Sequence, residues 1–464
     1  MSGLQRSFVK SKLSKLPPIP PFSEADEEGQ EHQDPDSNAA SRLSKRRQQT
    51  DAFAPRTAEG CFEEALEVNV PLASGSASFR VYYTPPRPKP PTLSRSSHQA
   101  ALGPPHNLGI NVESPTLPTL KPGIGSSTDE CDEEEQESCH LSKQSTASSQ
   151  GTLFVLHHGA GFSALSYALT AAEITRISRG EVGVLAYDCR GHGRTRMFGV
   201  RSNPLDMSID VLCSDLTSLL LTMFPEMDQM PSLVLVGHSM GGSVVVSAAH
   251  ALSAKGFSRL SGVAVLDVVE GTAMDALSVM RSVVLGHPSG FDSVEAAIRW
   301  HVDSKTIANL DSARISVPPL IEPDPAFSCA NTSANEEKDE QQEVLDDDAS
   351  SETAQPSNHQ YAYRWRADLL ATEPYWSSWF RGLSSRFLTV RTARLLLLAG
   401  TDRLDRELMI GQMQGKYQLE VIADVGHSLH EDAPDRTARI LVDFWRRNER
   451  IHLPLKHIKK VGEA

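Results

Sequence analysis

Short runs that are apolar at nearly every position recur along this chain, each closed by glycine or by polar turn residues. They fall at Thr152–Leu156 (TLFVL), Val182–Tyr187, Leu233–Val236, Gly262–Leu266 (GVAVL) and Arg394–Ala399 (RLLLLA). A strand covered on both faces has this signature, because neither face can be polar. Between these runs the period changes. Ser163–Ile177 reads as a helix, and Ser208–Phe224 carries Val211, Leu212, Leu216, Leu219 and Leu220 at helical spacing. Small and apolar residues from Gly242 to Ala249 start another helix. Ser293–Trp300 continues a helical region that follows VVEGTAMDAL, and Thr437–Arg446 is amphipathic. Leu66–Val70 and Ala77–Tyr83 predict two edge strands of a hairpin, and Tyr417–Ile422 a last strand. Strands alternating with helices predict an α/β fold with a mostly parallel central sheet and helices on both faces.

The polar blocks divide the chain. Residues 1–58 mix Ser, Pro, Lys and acidic residues without a hydrophobic period and are expected to be disordered. The folded domain is expected over 59–450, with two interruptions. The first, 84–150, is Pro-rich, then Ser-rich, then acidic (DECDEEEQES), and cannot bury enough apolar area to offset chain entropy. The second, 321–358, is acidic and lies within a cap region at 273–390. The aromatic stretch Tyr361–Phe387 is expected to pack as a helical cap over the site. Residues 451–464 form a basic tail.

Composition narrows the function. Over 464 residues the formal net charge is −14, which argues against general nucleic-acid binding. Hydrophobic residues make up 39%, in keeping with one folded domain plus sizeable polar segments. The six cysteines form no C-x-x-C pair and no zinc-like spacing with histidine, so no metal site is expected. No apolar run reaches the length of a membrane span, and the first residues carry no secretory h-region. Together these predict a reducing compartment, cytoplasm or nucleus. The cluster Lys45-Arg46-Arg47 is a candidate import patch, although a solvated charge run has the same composition.

The chemistry gathers around Ser232–Ala249. A strand, then Gly237-His238-Ser239-Met240-Gly241, then a helix is the context of a G-x-S-x-G nucleophile elbow, with Ser239 on a strained turn. The strand Thr152–Leu156 ends in His157-His158-Gly159-Ala160-Gly161. Small residues there let a backbone N–H approach a developing oxyanion, so the donors are expected from Met240 and from Ala160 or Gly161. In this arrangement the base comes last in the chain. His427 follows a strand through a Gly-containing turn, with His430 as a competitor three residues on. Two aspartates at strand ends, Asp267 and Asp402, compete to orient it, and spacing alone leans to Asp402. The turn Asp188-Cys189-Arg190-Gly191-His192-Gly193 reads as structural, because its Asp and His are too close together to be two arms of a triad.

Beyond these motifs the chain resembles the protein phosphatase methylesterases. The resemblance rests on GFSALSY, DCRGHG, VGHSMGGSVVV, LDVVEGTAMDAL, YWSSWFRGLS, LLLLAGTDRLD, IGQMQGKYQ and GHSLHEDAPD, and covers about Phe79–Phe444 outside the two polar insertions. LDVVEGTAMDAL and IGQMQGK are specific to that family, whereas GHSMGG and DCRGHG are shared across α/β hydrolases. HHGAGF departs from the family's more glycine-rich oxyanion turn. The resemblance implies an α/β-hydrolase fold and a catalytic acid in the LDVVEG motif, hence a Ser239, Asp267 and His427 triad. It further implies hydrolysis, without a cofactor, of the methyl ester on the C-terminal leucine of the type-2A protein phosphatase catalytic subunit, and binding of that whole subunit. The acidic stretch Glu336–Glu352 and the aromatic cap are candidates for extra contact. A general small-molecule carboxylesterase and a non-catalytic phosphatase-binding protein are the rival readings. Epoxide hydrolases and dehalogenases are disfavoured, since they carry Asp at the elbow.

Overall fold

The computed structural model describes residues 52–73, 75–88, 151–199, 205–327, 361–400 and 404–449. The segments expected to be disordered fall largely outside the described residues. So do Lys45–Arg47, Glu336–Glu352, the basic tail and Asp402.

One twisted sheet carries the architecture. Its strands are β1 (Glu64–Leu72), β2 (Gly75–Thr84), β3 (Thr152–His157), β4 (Val182–Tyr187), β5 (Arg196–Phe198), β6 (Ser232–His238) and β7 (Leu260–Leu266). After three short strands in the cap, β8 (Gly290–Phe291), β9 (Ile321–Pro323) and β10 (Tyr363–Trp365), the sheet resumes with β11 (Ala393–Ala399) and β12 (Gln418–Ile422). The order is β1-β2-β4-β3-β6-β7-β11-β12, with β5 paired to β2. From β4 to β12 every pairing is parallel. The hairpin β1–β2 joins antiparallel, and β2 lies inside the sheet, bonded to both β1 and β4. Only β1 of that pair has an open edge, which corrects the expectation of two edge strands. The cause is visible along β2, where Ala77, Phe79 and Val81 are buried.

Side chains alternate across the sheet with period two. Leu153, Val155, Leu233, Leu235, Val263, Val265, Leu396 and Leu398 face one core, while Phe154, Leu156, Val234, Val236, Ala264, Leu266, Leu395 and Leu397 face the other. Both cores need helices. The first is covered by α2 (Ile209–Met223) and α3 (Met240–Ala254), the second by α1 (Ala168–Ser178) and α10 (Pro434–Glu449). Each buried Leu or Val side chain contributes about 2 kcal/mol of transfer free energy.

The chain between β7 and β11 forms the cap. It holds α4 (Glu270–Leu285), α5 (Val294–Asp303), α6 (Leu310–Ser316), α7 (Glu373–Phe380) and α8 (Leu383–Thr389), and α9 (Arg406–Met413) follows β11. The strands β8, β10 and β9 make a three-stranded sheet with a small core of its own around Phe291, Ile298, Ile307 and Val317. The aromatic stretch divides its work. Trp379 is fully buried in the main core, with its Nε1–H on the Met207 carbonyl at 2.8 Å, whereas Trp365 sits in the cap. Glu270 ties the cap together, its carboxylate accepting the N–H groups of Gly382 (2.7 Å) and Ser384 (3.0 Å) at the start of α8. Negative charge at a helix N-terminus is favourable, because the exposed N–H groups there need acceptors.

Candidate active site

Strand β6 delivers Ser239 onto a turn that helix α3 leaves at once. Ser239 has φ 52° and ψ −121°, a conformation that costs any residue with a Cβ of order 1–3 kcal/mol. Two bonds hold it there. Its N–H donates to the Leu266 carbonyl at 3.0 Å, and its carbonyl accepts the Gly242 N–H at 2.9 Å. The flanking glycines are required by contact distance. A Cβ on Gly237 would lie 2.1 Å from the Gly241 carbonyl oxygen, and one on Gly241 would lie 2.4 Å from that of His157.

The turn after β3 packs against this elbow. A Cβ on Gly159 would stand 3.3 Å from the Ser239 Cβ and 2.8 Å from His238 Nδ1. The Phe162 N–H donates to the Gly159 carbonyl at 3.2 Å, and Gly161 has φ +81°, which makes residues 159–162 a type II turn. The Gly161 N–H donates to His192 Nε2 at 2.9 Å. Among the described residues, the Ala160 and Met240 N–H groups meet no acceptor. Of the two turn amides anticipated from sequence, Gly161 is therefore engaged and Ala160 is not.

Strand β7 ends at Asp267, which also has a positive φ, 50°. Its N–H donates to the Leu397 carbonyl at 2.8 Å, and its Oδ1 accepts the Ala399 N–H at 2.7 Å, so β11 fixes the carboxylate. Its Oδ2 meets His427 Nδ1 at 2.7 Å. The Asp267 side chain is 9% exposed and that of His427 54%. A neutral imidazole that donates through Nδ1 carries its lone pair on Nε2. The His427 carbonyl is bonded to His238 Nε2 at 2.9 Å, and the two rings lie 4.6 Å apart, which anchors the base loop to the residue before Ser239.

Five further histidines surround the site, and all of them are buried. Burial, then mutual repulsion, depresses His158 and His238 well below the ordinary imidazole value. His157 is lowered to about 4, chiefly by burial, and His192 is lowered by burial. His430 is lowered to about 3 by burial and by His427, with its ring 4.4 Å from Tyr167 and 4.5 Å from His238. It is packed under the elbow, away from solvent, so it does not compete with His427 for the base position.

The DCRGHG turn supports the site from below. Asp188 accepts the Ala164 N–H (2.8 Å) and the Arg194 N–H (2.8 Å), yet burial still raises its carboxyl to about 6. Arg190 makes a two-armed ion pair with Asp215 of α2 at 2.6 and 2.7 Å. The reading of this motif as a structural turn set His192 aside as a triad arm and did not anticipate its contact with the oxyanion turn. The glycines on either side of it were the one signal available. Above the site a cleft of about 610 Å³ opens over Ala160–Phe162 and runs beneath the cap between Leu369, Trp300 and Trp365.

The Alpha/beta hydrolase family model matches residues 154–440. A protein named Protein phosphatase methylesterase 1 from Cryptococcus neoformans var. neoformans serotype D is 43% identical over 405 residues, covering 87% of this chain and 80% of the relative. One of the same name from Gibberella zeae is 47% identical over 309 residues, covering 66% and 68%. Another from Neurospora crassa is 45% identical over 322 residues, covering 66% and 67%.

Proposed function

Because the chain belongs to the protein phosphatase methylesterase family of α/β hydrolases, we propose that it removes the methyl ester from the C-terminal leucine of a type-2A protein phosphatase catalytic subunit. As a carboxylic ester hydrolase it needs a nucleophile, a base and a site for the oxyanion. The Asp267–His427 hydrogen bond beside the strained Ser239 carries the assignment of the first two.

His427 Nε2 takes the proton of Ser239 Oγ as the oxygen attacks the ester carbonyl. Asp267, bound to Nδ1–H, holds the tautomer that leaves Nε2 basic and stabilises the imidazolium that forms. The Ala160 and Met240 N–H groups receive the oxyanion, each contributing about 3 kcal/mol. His427 returns the proton to the departing methoxy oxygen, and methanol leaves an acyl enzyme. Water then repeats the sequence with His427 as base, freeing the carboxylate and Ser239. The methyl leaving group is small, so the large cleft beyond the oxyanion turn suits the acyl side, a peptide tail. A methylated C-terminus is neutral and needs no guanidinium clamp.

The test is incubation with carboxymethylated phosphatase catalytic subunit. Wild type should release methanol and Ser239→Ala none. Turnover of simple aryl esters with the methylated phosphatase left intact would replace this reading with a general carboxylesterase.

A further inference from the structure

We infer that His192 is a positioning residue of the oxyanion turn, setting the peptide plane between Ala160 and Gly161 by accepting the Gly161 N–H. The inference rests on the reading above that this turn supplies an oxyanion donor.

Type I and type II turns share their end residues and differ mainly by a flip of the central peptide. Here that peptide joins Ala160 to Gly161, and glycine at the third position tolerates either form. Sequence therefore leaves the choice open, and something outside the turn must make it. His192 Nε2 lies 2.9 Å from the Gly161 nitrogen and accepts its hydrogen. A flip would turn the Ala160 carbonyl toward the Nε2 lone pair, placing two acceptors against each other.

The acceptor at Nε2 exists only in one tautomer, and that tautomer is also held. His192 Nδ1 lies 3.0 Å from the Arg190 carbonyl, so Nδ1 carries the proton and donates it there. Arg190 is in turn locked by its two bonds to Asp215. The chain of contacts runs from Asp215 on α2 through Arg190 and His192 to Gly161. His192 is 3% exposed, and burial lowers its affinity for a proton, which keeps Nε2 an acceptor. The groups facing the ring are the His158 imidazole with its centroid at 5.1 Å and the Cys189 thiol at 3.3 Å from Nδ1. His157 lies close enough to repel a charge on the ring.

The consequence for the reaction follows from counting donors. In the type II form the Phe162 N–H is taken by Gly159 and the Gly161 N–H by His192, which leaves the Ala160 N–H between them as the donor. That N–H belongs to the preceding peptide, so His192, which touches no reacting atom, acts on it by anchoring Gly161 and with it the Ala160 Cα that carries the donor.

The test compares His192→Gln, His192→Asn and His192→Phe on p-nitrophenyl acetate, an ester whose hydrolysis reads the acylation machinery whatever the natural substrate is. Gln places an amide oxygen where Nε2 stood, Asn falls short of it, and Phe removes the acceptor. The expected result is that Asn and Phe lose ~10–100-fold in kcat with KM changed less than about threefold, while Gln stays within about fivefold of wild type. Equal activity of the Asn and Gln variants, both folded with the wild-type melting temperature, would overturn the inference, as would a folded Phe variant with wild-type kcat. Ala160→Pro separates the donor role of the Ala160 N–H from the His192–Gly161 contact. Proline suits the second position of a type II turn but has no N–H, so activity should collapse in a folded protein. An active Ala160→Pro enzyme beside an inactive His192→Phe one would refute the donor assignment and keep the His192–Gly161 coupling. Loss in both is the expected pattern.

Discussion

His427 Nδ1 stands 2.7 Å from Asp267 Oδ2, although 160 residues separate the two in sequence. The second carboxylate oxygen is held by the Ala399 N–H, so the contact has little freedom to rearrange. Asn at position 267 would point an NH₂ at the ring or surrender the bond to Ala399, and either outcome disfavours the tautomer with a basic Nε2. Asp267→Asn is therefore expected to lower kcat by ~10³–10⁴ with the fold intact. Asp402→Asn should stay within a few-fold of wild type. Steady-state hydrolysis of the methylated phosphatase by the two variants checks this, and abolition by Asp402→Asn alone would move the acid to Asp402.

The strain at Ser239 predicts a trade between stability and activity. Its φ of 52° with ψ of −121° is a conformation glycine adopts with ease. Ser239→Gly is expected to gain about 1 kcal/mol of folding stability while losing all turnover, whereas Ser239→Ala keeps the Cβ and the strain. Denaturant unfolding of the three proteins would show it. If Gly and Ala behaved alike, the elbow would not be storing strain in this dihedral.

How legible the site was depended on how local each feature is. The strands β3, β4, β6, β7 and β11 could be read because burial on both faces makes every position apolar, a signal that needs no partner to interpret. β8, with two residues, and β9 and β10, with three each, carry no period and exist only through one another. β2 was misplaced at an edge, since its second neighbour, β4, comes a hundred residues later, beyond the first polar insertion. Ser239 was visible because its elbow is contiguous. Asp267 and Asp402 were not separable by pattern, as both end a strand; spacing leaned to Asp402, and the family resemblance alone turned the choice to Asp267, which the structure sets against His427. The contact of His192 with Gly161 was not legible because it runs through a backbone hydrogen, which leaves no trace in residue type.

The pair Arg190–Asp215 carries another prediction. Both side chains are 3% exposed, with two bonds at 2.6 and 2.7 Å. Removing one partner leaves the other charge buried without compensation, so Asp215→Ala should destabilise the protein by about 3–5 kcal/mol. A double replacement by apolar residues of similar volume should cost much less, since no uncompensated charge remains. Chemical denaturation of the single and double variants decides the matter. A single variant as stable as wild type would mean that water reaches Arg190.

Buried Glu431 gives the protein a pH dependence of unusual sign. Burial pushes its carboxyl from the ordinary 4.5 up to about 8, with Ser312 Oγ donating to it at 2.8 Å. In the unfolded chain the group is ionised above about 4.5. The folded protein thus holds one more proton between these values, and its stability falls as pH rises across that window, by about 1.4 kcal/mol per unit at the steepest. Asp188, raised to about 6, acts in the same sense but finishes lower. The buried histidines act oppositely. His157 and His430, lowered to about 4 and 3 from 6.5, add stability as pH rises, and because half of such a group is still protonated in the unfolded chain at 6.5, that gain ends only about a unit higher. The Glu431 contribution is therefore read as the difference between wild type and Glu431→Gln, in which the histidines cancel. From pH 6.5 to 8 wild type should lose melting temperature relative to Glu431→Gln, which retains an acceptor for Ser312 and should melt higher at pH 8. Parallel melting curves for the two proteins from pH 6.5 to 8 would show that Glu431 is already ionised in the folded state.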